Sequence, residues 1–471
     1  MTVTSPSSWQ FETLGNAIVQ ITKNGVPVLV TDPWLFGEAY FGSWELERPL
    51  TDEQISRALA SRYVWFSHGH PDHFHVPSIE KLRRDQVILL PDHYDAELAR
   101  TLREMGHEPR ILPQKKWVDL GDGLRVLCVA NENMDAIIAI DAGGTLVLDK
   151  NDSPFCGEGP FFRQLVRRFP RSYLLALCAY DADMINTYDP DNRSLLDPPE
   201  AKKPGCVWSV GKTAEYLGCD AYACSSSQHV YARPDSAWAN DYRITWSDVR
   251  RLWVSDRVAL IPPFSQVDAL TGVVLHTDGE VSSDPAMRVR AEAGEDWTAT
   301  LDEAEWARVE TFARQFRTLR AWQDFIGFEV GGQRRLFMLR EGRKFNPTSK
   351  QKGIIFRVPR GSLLQTVEYG YFDDLLIGNF MQTQLFNMKL YPMFSPRVAK
   401  LGGNAKVFSP GQLWRFRWYW FCRSPVAFFR YRLRIANDHF FDPAVRRIAR
   451  ELGVFYFLRG IKRRVVGWPR A

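Results

Sequence analysis

Short apolar and β-branched runs, separated by turn residues, dominate the first 275 positions. Residues 17–21 and 26–30 read as two strands joined by the turn Lys23-Asn24-Gly25. Tyr63-Val64-Trp65-Phe66 has the aromatic and β-branched character of a buried strand, and runs of the same kind recur at 87–90, 124–129, 136–140, 145–148, 173–177 and 219–224. Helical patterning falls between them. Val76-Pro77-Ser78 opens one helix, and 96–105 and 161–169 carry two more. Strand and helix alternating with tight hairpins predicts an α/β fold, a four-layered αββα sandwich closing near His276.

From about residue 285 the pattern changes. A long amphipathic helix is expected over 301–325, strands over 335–339 and 353–358, and a helical stretch over 361–386 with a turn at Gly378. Three units follow from this reading: 9–280, a smaller α+β unit over 285–410, and a basic, aromatic segment over 411–471. A chain of 471 residues is too long for one ordinary core, which agrees with more than one unit.

Charge separates the last unit from the rest. The chain carries +5 overall, yet residues 411–471 hold 14 Lys and Arg against 3 Asp and Glu. Arginine interleaved with aromatics over Leu413–Phe421 and Phe428–Arg434 suits an anionic membrane surface or a docking partner, and equally a plain amphipathic element packed on the core. Nucleic acid is not an expected partner, because no recognised binding motif accompanies the charge. Met1 to Pro6 have neither a basic nor an apolar signal region, and no apolar run is long enough to span a bilayer. The seven cysteines are scattered without a Cys-x-x-Cys pair. These features predict a cytoplasmic protein, with peripheral membrane attachment through 411–471 as one of the two readings of that segment.

The chemistry concentrates at Ser67-His68-Gly69-His70-Pro71-Asp72-His73-Phe74-His75, which holds four of the nine histidines at the end of a strand. Two residues of separation lets His68 and His70 face one ion, while Asp72 and His73 follow on the turn to bind a second ion or to orient a water. Asp72 and His73 are accordingly the expected catalytic pair. His75 lies outside the motif, and His93 and His107 read as structural. Asp32, at the end of a buried strand and before Pro33, is either a turn residue or the carboxylate that orients a metal-bound histidine. The strand at 145–148 closes on Asp149-Lys150-Asn151-Asp152, and Asp152 is the expected carboxylate ligand. The long loop over 186–205 reads as a lid or binding loop.

Taken together, Thr31-Asp32-Pro33-Trp34, the motif from Ser67 to His73, Met134-Asp135 and the strands ending at Asp152 and Asp181 resemble the metallo-β-lactamase-fold domain of the CMP-N-acetylneuraminate hydroxylase and UDP-N-acetylmuramate hydroxylase group. The resemblance covers about residues 10–275 and continues weakly through 363–386. It implies that His68, His70, Asp72 and His73 bind metal together with Asp152; in an oxygenase Asp181 or Asp183 would shape the pocket. Where hydrolytic members place a further histidine this chain has Asn131, and their Gly-His-Ala is Gly15-Asn16-Ala17 here. His229 is a candidate replacement ligand. The Rieske cluster of the hydroxylases needs Cys-x-His and Cys-x-x-His pairs, and the chain has neither.

Two functions follow as expectations. One is a non-haem iron oxygenase with one or two ions, acting on a nucleotide sugar or similar polar metabolite with electrons from a separate protein. The other is a hydrolase of a phosphodiester, lactone or amide, with Zn or Mn lowering the pKa of a bound water.

Overall fold

The computed structural model describes residues 8–180, 188–189, 194–195, 202–279, 288–340, 342–346, 350–388, 390, 394 and 397–437. Two large sheets face each other. The first orders its eight strands Val274–Thr277, Ser265–Asp268, Trp9–Gly15, Ile18–Lys23, Val26–Thr31, Tyr63–Trp65, Val87–Pro91 and Arg110–Leu112. The second has seven, in the order Ala259–Ile261, Ala221–Cys224, Ser172–Ala176, Thr145–Asn151, Ala136–Ala142, Leu124–Ala130 and Trp117–Gly121.

Side-chain alternation along each strand builds the layers. Ile21, Leu29, Trp65 and Leu89 of the first sheet meet Val126, Ile138, Val147 and Leu175 of the second in one buried cluster between the sheets. The intervening residues point outward. Val30, Val64, Ile88 and Leu90 pack under the helices Asp52–Ala60 and Glu97–Glu104. On the far side, Leu127, Ile137, Leu148 and Leu174 pack under Gly159–Val166, Lys203–Leu217 and Trp246–Leu252. This is an αββα sandwich, arrived at by a period of two on strands buried on both faces. The hairpin at Asn24-Gly25 closes with both residues at positive φ (51° and 79°), the backbone that Asn-Gly adopts in a two-residue turn.

The C-terminal unit is α+β. Its six-stranded sheet centres on Phe325–Val330, Gly353–Arg357 and Gln382–Phe386, and its core is strongly aromatic, with Trp306, Phe312, Phe316, Phe328, Phe356, Phe372 and Phe394 buried together. Here the sequence patterning misleads in two places. The expected long helix stops at Gln315, a 3₁₀ turn follows, and Phe325–Val330 is a strand. The expected helical stretch breaks into Arg360–Tyr369 and Asp373–Ile377, and Gln382–Phe386 pairs with Gly353–Arg357. Short apolar runs fit either period, and sheet pairing decides them.

Two contacts cross the expected unit boundaries. The strands Tyr188–Asp189 and Ser194–Leu195, inside the expected lid loop, extend the C-terminal sheet beside Gln382. Leu401, Ala405, Val407, Phe416 and Trp420 join the cluster between the two large sheets. The aromatic tail is thus in part a pair of helices, Pro410–Arg423 and Pro425–Ala436, packed on the sandwich. Among the described residues no helix is long and apolar enough to cross a membrane.

Candidate metal centre

The site lies where strand ends of the two sheets converge. Val26–Thr31 and Tyr63–Trp65 run parallel with Thr31 opposite Trp65, so Asp32 and Ser67 leave neighbouring strands side by side. Asp32 takes a positive φ of 39° at this point, a conformation that aspartate tolerates better than most residues. Its carboxylate accepts hydrogen bonds from the Ser67 backbone N–H (2.7 Å), the Ser67 hydroxyl (2.7 Å) and His73 Nδ1 (2.8 Å). Of its two readings, the orienting carboxylate describes these contacts.

Proton bookkeeping fixes the ring orientations. The single Ser67 hydroxyl proton goes to Asp32, so the 2.9 Å contact between Ser67 Oγ and His68 Nδ1 requires His68 Nδ1 to donate. His68 Nε2 then presents its lone pair to the site. His73 donates from Nδ1 to Asp32, which leaves its Nε2 bare. On the other side, His70 Nε2 lies 3.0 Å from Asp373 Oδ2, and its Nδ1 lies 2.9 Å from His68 Nε2. Around these nitrogens sit Asp152 Oδ2, at 3.6 Å from His68 Nε2 and 3.8 Å from His73 Nε2, and Asp72 Oδ2, at 3.3 Å from His73 Nε2.

The ligand atoms of His68, His73 and Asp152 lie within 4.8 Å of one another, and so do those of His70, Asp373 and Asp374. His73 Nε2, Asp152 Oδ1, Asp373 Oδ1 and Asp374 Oδ1 are buried without a hydrogen-bond partner. One bare imidazole nitrogen and three bare carboxylate oxygens form a donor set that fits a divalent cation.

The electrostatics also suit a divalent cation. Burial, then the neighbouring His73 and His70, hold His68 well below the usual imidazole range, so it stays a neutral ligand. Burial opposes charge on His70, but Asp373, Asp374 and Asp152 outweigh it and push the ring up to about 10. His73 is likewise raised against burial by Asp72, Asp152 and Asp32. Burial and then Asp373 drive Asp374 well above the carboxylate range, and burial with Asp152 pushes Asp135 up to about 7. Negative charge crowded into one buried space is what a metal ion relieves.

Asp72 is fixed from two directions, by the Tyr40 hydroxyl (2.5 Å, to Oδ1) and by Asn16 Nδ2 (2.7 Å, to Oδ2). Burial followed by the Asp72 charge holds Tyr40 far above its ordinary range, so it keeps the proton it donates. Although burial opposes it, His73 keeps the Asp72 carboxyl below its ordinary value.

Of the residues named from the sequence, His68, His73 and Asp152 share one ligand group and His70 belongs to the other, Asp72 lies beside His73 but in neither group, and His229 joins neither. Its ring stacks on Trp44 at 3.4 Å and 6°, and burial lowers its pKa to about 3. Packing on Trp44 holds the His229 ring in place, and its Nδ1 is buried without a hydrogen-bond partner. Asn131 is a structural residue: Nδ2 donates to Ser153 Oγ (2.8 Å) and the Pro154 carbonyl (2.9 Å), and Oδ1 accepts from the Asn133 N–H (2.8 Å). It pins the loop that carries Asp152. Asp149 is buried and pushed up to about 8 by burial and by Asp32. His93 Nε2 donates to the Asp135 carbonyl (3.1 Å). Asp181 and Asp183 lie outside the described residues.

Sequence reasoning missed Asp373, Asp374 and Tyr40. Asp373 begins the helix Asp373–Ile377 of the C-terminal unit, 303 positions from its partner His70. An Asp-Asp pair inside an otherwise apolar stretch, Phe372 to Ile377, was the available signal.

No family model matches the chain. It is 26% identical over 145 residues to the cytidine monophosphate-N-acetylneuraminic acid hydroxylase of Asterias rubens, covering 29% of this chain and 22% of that protein. The enzyme of the same name from Sus scrofa is 29% identical over 141 residues, covering 28% and 32%. The chain thus matches about a fifth to a third of the length of these curated relatives. Among solved structures, it resembles a metallo hydrolase from Ignicoccus hospitalis (TM-score 0.38, 14% identity, 55% of this chain and 97% of that one). An isothiocyanate hydrolase from Delia radicum gut bacteria gives a TM-score of 0.36, with 15% identity and coverage of 55% and 98%. The resemblance read from the histidine motif is matched, over about three-tenths of the chain, by sequence similarity to the CMP-N-acetylneuraminic acid hydroxylases.

Proposed function

We propose that the protein is a metal-dependent oxygenase of the non-haem iron kind, a hydroxylase acting on a polar metabolite such as a nucleotide sugar. The donor set carries the reading. His68, His73 and Asp152 are two imidazoles and one carboxylate, the combination typical of non-haem iron oxygenases, and the position of a further histidine is occupied by a structural Asn131. The similarity to proteins named as hydroxylases supports it. Bound iron would supply O2 activation.

The chain's own residues hold and orient. Asp32 keeps the proton on His73 Nδ1, so that Nε2 faces inward. Asp373 accepts from His70 Nε2 and leaves Nδ1 facing His68 Nε2. Asp72, immobilised by Tyr40 and Asn16, is the group for proton transfer at Oδ2. His70 with Asp373 and Asp374 offers room for a second ion. Electrons would come from a separate protein, since the chain carries no Rieske cysteine–histidine pairs.

A second reading, a hydrolase with a Zn- or Mn-bound water, is favoured by the fixed Asp72, which is equally suited to orient and deprotonate water. Metal content and an optical spectrum decide between them, on protein made in iron-supplemented medium and purified without chelator. The oxygenase reading expects near-stoichiometric iron and a band that bleaches on reduction and returns with O2. Tightly held zinc or manganese with no response to O2 would overturn it and turn attention to phosphodiesters, lactones and amides.

A further inference from the structure

The helices Pro410–Arg423 and Pro425–Ala436 have two unlike faces. Inward, Phe416, Trp420 and Ala427 are buried against the sandwich. Arg423 pairs with Asp92 and Arg432 with Glu132, while Arg430 donates to the Gly157 carbonyl (2.7 Å). Polar contacts as well as apolar packing therefore fasten the pair to the body.

The outward face is apolar where a soluble surface is normally polar. Trp414 is 65% exposed, Trp418 53%, Val426 67%, Phe429 57% and Leu433 71%. They are not scattered. Trp414 stacks on Trp418 (5.9 Å, 3°), Trp418 meets Phe421 (5.4 Å), and Phe421 meets Phe429 (5.6 Å), so one strip of rings runs across both helices. Arg415 and Arg417 stand exposed beside the tryptophans, Arg430 is exposed beside Phe429, and residues 410–437 contain no Asp or Glu at all.

We propose that this face docks on an anionic lipid bilayer, with Trp414, Trp418, Phe429 and Leu433 entering the boundary between headgroups and acyl chains and the arginines meeting lipid phosphates. Tryptophan, phenylalanine and leucine on one face with arginine at its margin is the composition that binds at a membrane interface. Helices of 14 and 12 residues lie on a bilayer and do not cross it. Charge argues against the other occupants. A second copy of the chain would set arginine against arginine, and residues 438–471 are themselves basic, with 8 Lys and Arg against 3 Asp and Glu. The surface charge of an anionic leaflet is the complement this face lacks.

The test is flotation of the full-length protein with phosphatidylcholine vesicles containing about 30% phosphatidylglycerol, compared with phosphatidylcholine alone. The wild type is expected to float with the anionic vesicles at about 0.05 M salt and to be released at about 0.5 M. Trp414→Ser combined with Trp418→Ser and Phe429→Ser should weaken flotation at least about tenfold, and Arg415→Glu with Arg417→Glu should erase the preference for anionic lipid. Melting temperature and metal content of each variant, unchanged from wild type, show that the fold is intact, and the arginine pair stands alone if the aromatic triple variant misfolds. Wild type that stays with the lipid-free fraction at low salt overturns the proposal. So does a wild-type dimer in light scattering that the aromatic variant abolishes while neither protein binds vesicles.

Discussion

His73 and His70 are each backed by a buried carboxylate, yet the two carboxylates come from opposite parts of the molecule. Asp32 belongs to the strand next to the histidine motif, in the same sheet, and binds His73 Nδ1 at 2.8 Å. Asp373 belongs to a helix of the C-terminal unit and sits 3.0 Å from His70 Nε2. The His73 side is sealed, with His73 1% and Asp32 0% exposed, while the His70 side chain retains 13%. One half of the centre is thus built into the sandwich, and the other depends on the C-terminal unit being in place. A carboxylate behind a ligating imidazole sets its tautomer and its basicity, so the two halves should respond to mutation in the same direction but to different degrees.

The largest effect is expected from removing a donor outright. Asp152→Ala should weaken metal binding by more than about 100-fold, measured by competition with a chromophoric chelator. Retained affinity would mean that Asp152 is not a ligand. Next comes Asp32→Asn, for which a loss of about 10- to 100-fold is expected because the charged acceptor at 2.8 Å from His73 Nδ1 is lost and the other neighbour, Ser67 Oγ, lies at 3.4 Å.

Asp373→Asn should cost less, about tenfold, since Asp374 adjoins it and His70 is more open to water. Gly403→Ala offers the same perturbation from outside the site, because its Cβ would fall 2.1 Å from Asp373 Oδ1 and displace the carboxylate. The metal count sharpens the comparison. If Asp373→Asn removes one of two bound ions and leaves the other at full affinity, Asp373 is a ligand of its own ion, not an orienting partner of His70.

The smallest effect on metal binding belongs to His75, whose Nδ1 pairs with Ser78 Oγ (2.8 Å) and whose Nε2 faces the Glu38 carbonyl (3.3 Å). His75→Gln should leave metal affinity within about twofold. Its consequence is seen in acid. Burial lowers the His75 pKa to about 4, so the unfolded chain binds the proton more tightly than the native state. Native stability is fully present above pH 6.5 and is lost as pH falls through about 4, by about 3 kcal/mol for this one ring. Thermal melts of the Gln variant should therefore decline less steeply than wild type between those values. Parallel slopes would show that His75 does not carry the acid sensitivity.

Several of these features are local and could be read from the chain. The histidine motif announces itself because a strand followed by a tight turn places His68, His70, Asp72 and His73 together whatever the rest of the protein does. The sandwich is legible for a related reason: strands buried on both faces leave continuous apolar runs, and these are hard to mistake when turns bound them. Asp32 was visible as one of two readings, since its role depends only on the parallel neighbour strand.

Other assignments were settled by packing alone. Periodicity could not separate helix from strand over Phe325–Val330 and Gln382–Phe386, where pairing with Gly353–Arg357 decides the state. His229 looked like a ligand after a strand, and only the folded structure shows it stacked on Trp44 and outside both ligand groups. Asp373 and Asp374 reach His70 across 303 residues or more, and no local pattern encodes a contact of that separation. The sequence by itself determined a histidine–aspartate cluster on an αββα sandwich, because those are properties of neighbouring residues. Tertiary structure decided which carboxylates complete the cluster, because completing it requires the C-terminal unit to fold against the mouth of the site.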